Sequence, residues 1–327
     1  MRLSRRIFSA VIGVSLVLFL CASPGFPASI PDIAILISSD VPYYQQAVDG
    51  FRRIFPSHVR VEEYHLQGSL AKGRQIGETV RADQPDLVLA VGLKAALASH
   101  LEIPDIPVIF CLVLNPALHD LPAPNMTGIL MQPSNAQNFE TMQAVLPQAR
   151  RIGLLYHPDR SGDFVTQAKR DAPRFGLTLI VSGVRDQADV PETVRELLPQ
   201  IDLLWVTQDS TVLTPEAIDF LLTSSFDAKV PIYTFAASLV QRGALAGIIL
   251  NPFDIGQQAG RLARKVLQGD ARPHLTLVPP AMTSLALNLN SAEYFGVHTS
   301  PKVMRMAGVL FGPGAVAQSD LPWTPVP

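Results

Sequence analysis

Short apolar runs alternate with amphipathic segments of helical length from Ile33 onward. In the first half, the runs that predict strands cover residues 33–37, 59–66, 86–91, 107–113 and 127–131. Apolar residues at helical spacing predict helices over 43–55 and 70–81 and a shorter one from 94. This alternation is typical of parallel sheets built from β-α-β units, so the first half predicts one doubly wound lobe.

The pattern begins again after the proline-rich turn at 121–125. A second lobe is predicted from strands at 151–156, 177–183, 203–207, 231–235 and 243–250 and helices at 135–146, 164–175, 191–198 and 215–226. One more helix follows, for which Asn251 suits the cap, Pro252 the first turn and Gly269 the end.

The fold class expected from this pattern is α/β, with two doubly wound parallel-sheet lobes joined by a hinge. We expect lobe I to contain residues 31–131 plus about 248–285, and lobe II to contain residues 132–247 plus about 286–300. The segment 301–327 is rich in glycine and proline and predicts a loosely ordered tail.

The N-terminus indicates export. Arg2, Arg5 and Arg6 precede an apolar run that ends in small residues and proline, which predicts a signal peptide over residues 1–28 and a periplasmic protein. The run is too short for a membrane-spanning helix. Two kinds of processing stay open: acylation of Cys21, or ordinary cleavage after Gly25 or Ala28.

Composition excludes several classes of function. Hydrophobic residues make up 48% of the chain and charged residues 17%, which favours a well-packed globule. The formal net charge is −2, and no basic cluster follows the first six residues, so no nucleic-acid partner is expected. Cys111 lies within an apolar strand and is interpreted as a buried small hydrophobic residue.

Catalytic motifs are missing from the sequence. It has no G-x-S-x-G elbow, Walker loop or G-x-G-x-x-G fingerprint, and its seven histidines form no pair at metal-ligand spacing. We therefore predict no enzyme, no metal site and no cofactor.

Ligands of open parallel sheets bind beyond the carboxyl ends of the strands. Ser38 and Ser39 end the first strand and suit a polar ligand group, although Ser39 or Asp40 could instead cap the next helix. Gly92 allows close backbone approach where the following helix end favours an anion, and Lys94 is either a counter-charge there or a solvated helix residue.

A similar choice applies to the second lobe. Asp209 follows an apolar strand and could accept hydrogen bonds from a ligand ammonium, or it could cap the helix near Pro215, for which Thr214 is closer. Tyr43 and Phe235 are candidates for apolar walls of the site.

Several segments, in this order and spacing, resemble one known family. They include IAILISSDVPYYQQAVDGF, PDLVLAVGLKAALA, WVTQDSTVL, VPIYTF and GALAGIILNPFDIGQQAGRLARKVLQG. Between Ile33 and His298 the chain is similar to ABC transporter substrate-binding proteins of the type I periplasmic-binding fold, whose characterised relatives bind tryptophan or other aromatic amino acids.

The resemblance implies a two-lobe clamp with three hinge strands, which captures a small solute and delivers it to an inner-membrane ABC permease. We expect a monomer and an amino acid, aromatic ones included, as the solute. By matching loops, the contacts would be Ser38, Ser39, Gly92, Leu93, Lys94, Asn115, Asp209, Ser210 and Thr211. A ligand-binding sensor not coupled to transport and an exported two-domain α/β enzyme remain the alternatives.

Overall fold

The computed structural model describes residues 30–55, 59–269 and 277–313. The predicted signal peptide and residues 314–327 lie outside this part of the chain. The elements of the first half are β1 (Asp32–Ile37), α1 (Pro42–Ile54), β2 (Arg60–His65), α2 (Leu70–Asp83), β3 (Leu87–Val91), α3 (Leu93–Glu102), β4 (Val108–Val113) and β5 (Met126–Leu130).

The second half continues the alternation of helices and strands. Its elements are α4 (Asn135–Val145), β6 (Arg151–Tyr156), α5 (Pro158–Asp171), β7 (Thr178–Gly183), α6 (Val190–Leu197), β8 (Leu203–Trp205), α7 (Pro215–Ala228), β9 (Ile232–Thr234), α8 (Ala237–Gln241) and β10 (Ala246–Ile249). The chain then forms α9 (Pro252–Leu267), β11 (Leu277–Val278), β12 (Ser284–Asn288), α10 (Leu289–Tyr294), α11 (Pro301–Met306) and β13 (Ala307–Phe311).

The strands form two sheets, which confirms the expected α/β fold with two parallel-sheet lobes. The first sheet has the order β11-β5-β4-β3-β1-β2 and is parallel throughout, while the second has the order β13-β12-β10-β9-β8-β6-β7. In the second sheet, β12 runs antiparallel to β10. Helices cover both faces of each sheet, so every strand near a sheet centre is buried on both sides.

β1 shows how the sequence pattern produces this burial. Ile33, Ile35 and Ile37 belong to the apolar cluster on one face of the first sheet, and Ala34 and Leu36 belong to the cluster on the other. Successive side chains of a strand point to opposite faces, so a strand of five consecutive apolar residues must be covered on both sides. The continuous apolar runs therefore predict the doubly wound arrangement.

The chain passes between the lobes three times. The passages are residues 131–134, 250–251 and 279–283, which we call the crossing segments. After the second passage, α9 returns to the first lobe and packs along α1. The predicted ends of α9 are confirmed, because the Asn251 side chain accepts from the Phe253 N–H and Gly269 follows the helix with φ 76°.

The end of the described chain differs from the expected loose tail. α11 and β13 cover residues 301–311, and β13 pairs in parallel with β12 at the edge of the second sheet. Val303 and Val309 are buried there. Pro301 is the first residue of α11 and Gly308 lies within β13, so neither prevents regular structure here. β12 supplies the hydrogen-bonding partner that the local sequence does not reveal.

Close contact between α1 and α9 requires glycine at position 256. A Cβ at Gly256 would lie 1.9 Å from the carbonyl oxygen of Ala47, so any larger residue must push the two helices apart. We predict that Gly256→Ala lowers the free energy of unfolding by about 1–3 kcal/mol despite alanine's better helix propensity.

Gly162→Ala is the matched control, because Gly162 lies within α5 and a Cβ there would meet no atom within 4 Å. This change should raise stability by up to about 1 kcal/mol. Denaturant unfolding of both variants tests the contact. Equal changes in the free energy of unfolding for the two variants would contradict it.

Candidate ligand-binding site

Strands of the first sheet end level with one another, which brings their following loops together. Ile37 of β1 pairs with Val91 of β3, and Val91 pairs with Cys111 of β4. The ladder continues one step into the loops, because the Ser38 N–H donates to the Val91 carbonyl at 3.0 Å and the Gly92 N–H donates to the Cys111 carbonyl at 2.9 Å. Two predicted ligand residues are therefore neighbours at this edge.

Two side chains of the first lobe, Ser38 and Tyr44, approach Gly92 closely. Its φ of 87° favours glycine, and a Cβ there would lie 2.7 Å from both Ser38 Oγ and Tyr44 Cζ. Ser38 is 4% exposed, and its Oγ accepts a hydrogen bond of 2.9 Å from the Ala95 N–H in the first turn of α3. The serine therefore braces the helix that begins at this loop.

The remaining predicted residues of this loop lie in different surroundings. Leu93 is half-buried against the core of the first lobe, whereas Lys94 is exposed and its Nζ donates to the Gly68 carbonyl. Val41 is the N-cap residue of α1 and makes no side-chain cap, so neither Ser39 nor Asp40 caps that helix. The ligand roles of Ser39, Leu93 and Lys94 stay predictions.

Two tyrosines near Ser38 present neutral hydroxyls. Tyr43 and Tyr44 pack against the core of the first lobe with ring centroids 6.3 Å apart. Burial raises the pKa of both phenols, and the nearby Cys111 adds to the effect. The rings therefore remain protonated at physiological pH. Tyr43 was the sequence candidate for an apolar wall, and Tyr44 lies directly against Gly92.

Backbone strain marks the end of β4. Leu112 has φ 56° and Asn115 has φ 44°, and the pairing with β5 shifts register between Phe110 and Val113. Such a conformation is unusual for a bulky residue and costs on the order of 1–3 kcal/mol, which the surrounding core must offset. Leu112 is buried in that core. Held in this way, the chain turns out of the sheet and exposes Asn115 at the carboxyl edge.

Asp209 organises the corresponding edge of the second lobe. It is 2% exposed, and its Oδ2 accepts hydrogen bonds of 2.7 Å from the His157 N–H and from Ser161 Oγ. Its Oδ1 accepts from the Thr211 N–H at 2.9 Å. The helix-cap alternative does not apply, because Thr214 caps α7. The carboxylate thus ties the loop after β6 to the loop after β8.

An arginine that the sequence patterns did not single out completes this loop. Arg160 Nη1 donates to Ser210 Oγ at 2.8 Å and to Thr211 Oγ1 at 3.3 Å. Ser210 and Thr211 were predicted ligand contacts, so the structure places a cation beside them. Roughly 50 residues separate the partners, and no local motif indicates the contact. The alternation of strands, which brings the ends of β6 and β8 together, is the signal that could have found it.

Gln208 joins the two lobes. Its carbonyl accepts a long hydrogen bond of 3.4 Å from Asn115 Nδ2 of the first lobe, and its own Nε2 donates to the Met131 carbonyl at 2.9 Å. Met131 lies in the first crossing segment. Phe235, the predicted apolar wall after β9, is half-buried against the core of the second lobe. Loops that follow β4 and β8 therefore meet across the cleft.

Two kinds of feature are not found in the described ranges 30–55, 59–269 and 277–313. No group of His, Cys, Asp and Glu side chains there is arranged to hold a metal ion. No helix among these residues is both long and apolar enough to span a membrane. The polar groups at the two edges can donate and accept hydrogen bonds and offer charges of both signs.

Comparison with known proteins decides the family. A family model described as ABC transporter substrate binding protein matches residues 56–310, which is most of the chain. The chain belongs to the ABC transporter substrate-binding protein family. Proteins of this family bind small solutes outside the cytoplasm and usually work with membrane ABC permeases. The expectation of a solute-binding protein rather than an enzyme is confirmed by this membership.

Individual relatives are similar to this chain at low sequence identity. The "Tyrosine-binding protein" of Clostridioides difficile (strain R20291) is 23% identical over 239 residues, covering 71% of this chain and 69% of that protein. A domain from Streptococcus pneumonia in complex with L-Trp is 24% identical, with a TM-score of 0.59 over 86% of this chain and 100% of that one. A ligand-free, open substrate-binding protein with adhesive properties from Clostridium difficile is 21% identical, with a TM-score of 0.72 over 86% of this chain and 100% of that one.

The hydrogen bonds of Asp209 predict a stability effect in the substrate-binding protein without ligand. Asp209→Ala leaves three donors without their acceptor in a buried place and should lower the free energy of unfolding by about 2–4 kcal/mol. Asp219→Ala is the control, because Asp219 is exposed and pairs only at the surface with Arg242. That change should cost at most about 0.5 kcal/mol. Equal losses on denaturant unfolding would contradict the organising role.

The Cys111 thiol should be inert in the folded protein. Burial raises its pKa to about 12, so at pH 8 only about one thiol in ten thousand is ionised. An aromatic disulfide reagent at pH 8 should leave the Cys111 peptide unmodified until denaturant is added, as mass spectrometry can verify. Rapid labelling of native protein would show that the end of β4 opens to solvent.

Proposed function

We propose that the chain is the periplasmic receptor of an ABC-type importer, and that it captures an amino acid, aromatic ones included, between its lobes. The observation that carries the proposal is the meeting of the two carboxyl edges at Asn115 and Gln208. A solute held between these edges would contact loops of both lobes. Such a solute binds the closed arrangement preferentially and thereby favours closure.

Exposed apolar side chains in the loops of the first lobe support a solute with an aromatic or aliphatic side chain. Val41, Leu114 and Leu118 follow strands of the first lobe at this edge and are 39%, 49% and 53% exposed. They offer apolar surface to a solute that is held at this edge of the sheet. The half-buried rings of Tyr43 and Tyr44 lie beyond the end of the same sheet.

Recognition of an amino group is assigned to Asp209. An ionised carboxylate offers about four lone-pair positions, and three of them are occupied, which leaves one for a ligand ammonium. The named ligands of two relatives, tyrosine and L-Trp, support an amino acid of this type. In this proposal the exported protein acts as a monomer and passes its solute to an inner-membrane ABC permease.

A thermal-shift screen against amino acids, short peptides, purines, pyrimidines and sugars tests the proposal. We expect aromatic amino acids to raise the melting temperature by several degrees, because ligand at 100 times its Kd adds about 2.7 kcal/mol to stability. The same ligand should reduce the radius of gyration in small-angle scattering, since closure compacts the molecule.

Asp209→Asn should abolish the shift. Asp202→Asn is the matched control, because Asp202 also accepts backbone hydrogen bonds, from Arg150 and Arg151, but at the opposite edge of the second sheet. That variant should lose stability and keep ligand binding. A rise in melting temperature for sugars or nucleobases alone would overturn the amino-acid assignment. A radius of gyration that stays unchanged at saturating ligand would overturn the clamp.

A further inference from the structure

The acidic groups at the cleft edge already have partners within the protein. Asp40 pairs with His65 at 2.5 Å, and Asp159 pairs with Arg185 at 2.6 Å. Arg160 differs from them, because its recorded partners are two neutral hydroxyls, and no acidic side chain in the described part of the chain forms an ion pair with it. Its positive charge is therefore available to a ligand.

The position of Arg160 in its helix gives no structural reason for a cation. It is the third residue of α5, at the end where the helix dipole is positive and a basic side chain is unfavourable. Lys169 and Arg170 occupy the last turn of the same helix, where the dipole favours them. A cation in the first turn destabilises the helix, so its presence beside the proposed ligand contacts points to binding.

Arg160 also retains the part of its guanidinium that suits a carboxylate. Both recorded hydrogen bonds use Nη1, and none joins Nε or Nη2 to another described residue. The Nε–Nη2 edge presents two parallel N–H groups, which is the geometry that binds both oxygens of a carboxylate at once. Ser210 and Thr211 hold the opposite side of the group in place.

Thr211 connects this cation to the buried acid of the site. Its backbone N–H donates to Asp209 Oδ1, and its hydroxyl accepts from Arg160. The two charges nevertheless form no ion pair with each other, since Ser161 and the backbone of His157 occupy the other carboxylate oxygen. A carboxylate and a guanidinium that both bond Thr211 but do not pair with each other are complementary to a zwitterion.

We infer that Arg160 binds the α-carboxylate of the solute while Asp209 accepts from its ammonium, so the substrate class is free α-amino acids with an unblocked carboxyl group. The inference rests on the proposed function and deepens it. It places the carboxylate on the second lobe, whereas the sequence favoured the loop at 92–94 of the first. Amino-acid amides, esters and the interior of peptides lack the free carboxylate and should bind more weakly at this site.

Isothermal titration with three forms of each of two amino acids tests the role of Arg160. The probes are L-tyrosine and L-tryptophan, their amides, and the deaminated acids 3-(4-hydroxyphenyl)propanoate and indole-3-propanoate. The measurements are made at about pH 6, below the pKa of ~7.7–8.0 of an α-amino group, so that the amines stay charged. Wild-type protein should prefer each amino acid over its amide by about 10- to 100-fold.

In Arg160→Gln the affinity for the amino acid should fall by that factor while the affinity for the amide stays unchanged, so the preference disappears. Arg160→Lys keeps the positive charge but lacks the two parallel N–H groups, so it should retain part of the preference for the amino acid over its amide. Arg170→Gln, on the same helix but in its last turn, is the matched control and should change neither affinity. Circular dichroism of each variant verifies that the protein is folded.

Three results would overturn the inference. If Arg160→Gln lowers the affinity for the amino acid and for its amide by the same factor, the arginine only braces the loop. If Arg160→Gln still prefers the amino acid over its amide as strongly as wild-type protein does, the carboxylate binds elsewhere and the receptor function stays intact. Failure of wild-type protein to bind any of the six probes would remove the amino-acid part of the proposed function as well, and that result is visible before any variant is made.

Discussion

A parallel sheet requires every strand to end at the same edge, and the whole site depends on this constraint. Each crossover helix returns the chain to the starting edge, so loops distant in sequence become neighbours. Ser38 and Gly92 meet because β1 and β3 end level, and His157 and Asp209 meet because β6 and β8 are parallel neighbours. Since both lobes obey the same rule, each presents one such edge to the cleft.

The two edges use different means to hold their loops. In the first lobe, the close approach of Ser38 and Tyr44 to Gly92 and the strained backbone at Leu112 fix the loops through packing. In the second lobe, the buried carboxylate of Asp209 does so through hydrogen bonds. A charge with 2% exposure is tolerated only when its hydrogen-bonding capacity is largely used, which explains why His157, Ser161 and Thr211 surround it.

The sequence was informative wherever a contact is encoded locally. Continuous apolar runs such as Ile33 to Ile37 predict buried strands, and Asn251 with Pro252 predicts the start of α9. Contacts between distant residues were not predictable. β13 forms because β12 offers an open edge, and Arg160 is placed beside Ser210 by the pairing of β6 with β8. Asp209 was found because it follows a strand, but its saturation by three donors is a property of the folded loops.

Gln208 shows how movement between the lobes can be coupled to the site. Its side chain makes an ordinary hydrogen bond of 2.9 Å to Met131 in a crossing segment, and its carbonyl makes only a long one of 3.4 Å to Asn115. In the proposed clamp the lobes would rotate about the crossing segments, so Met131, which lies in one of them, would move little relative to Gln208, whereas Asn115 in the loop after β4 would move more. The long contact would then change on closure while the ordinary one persists. In that case the loop that carries Asp209 and Ser210 would stay attached to the crossing segment, and the first lobe would close on charges that are already in place.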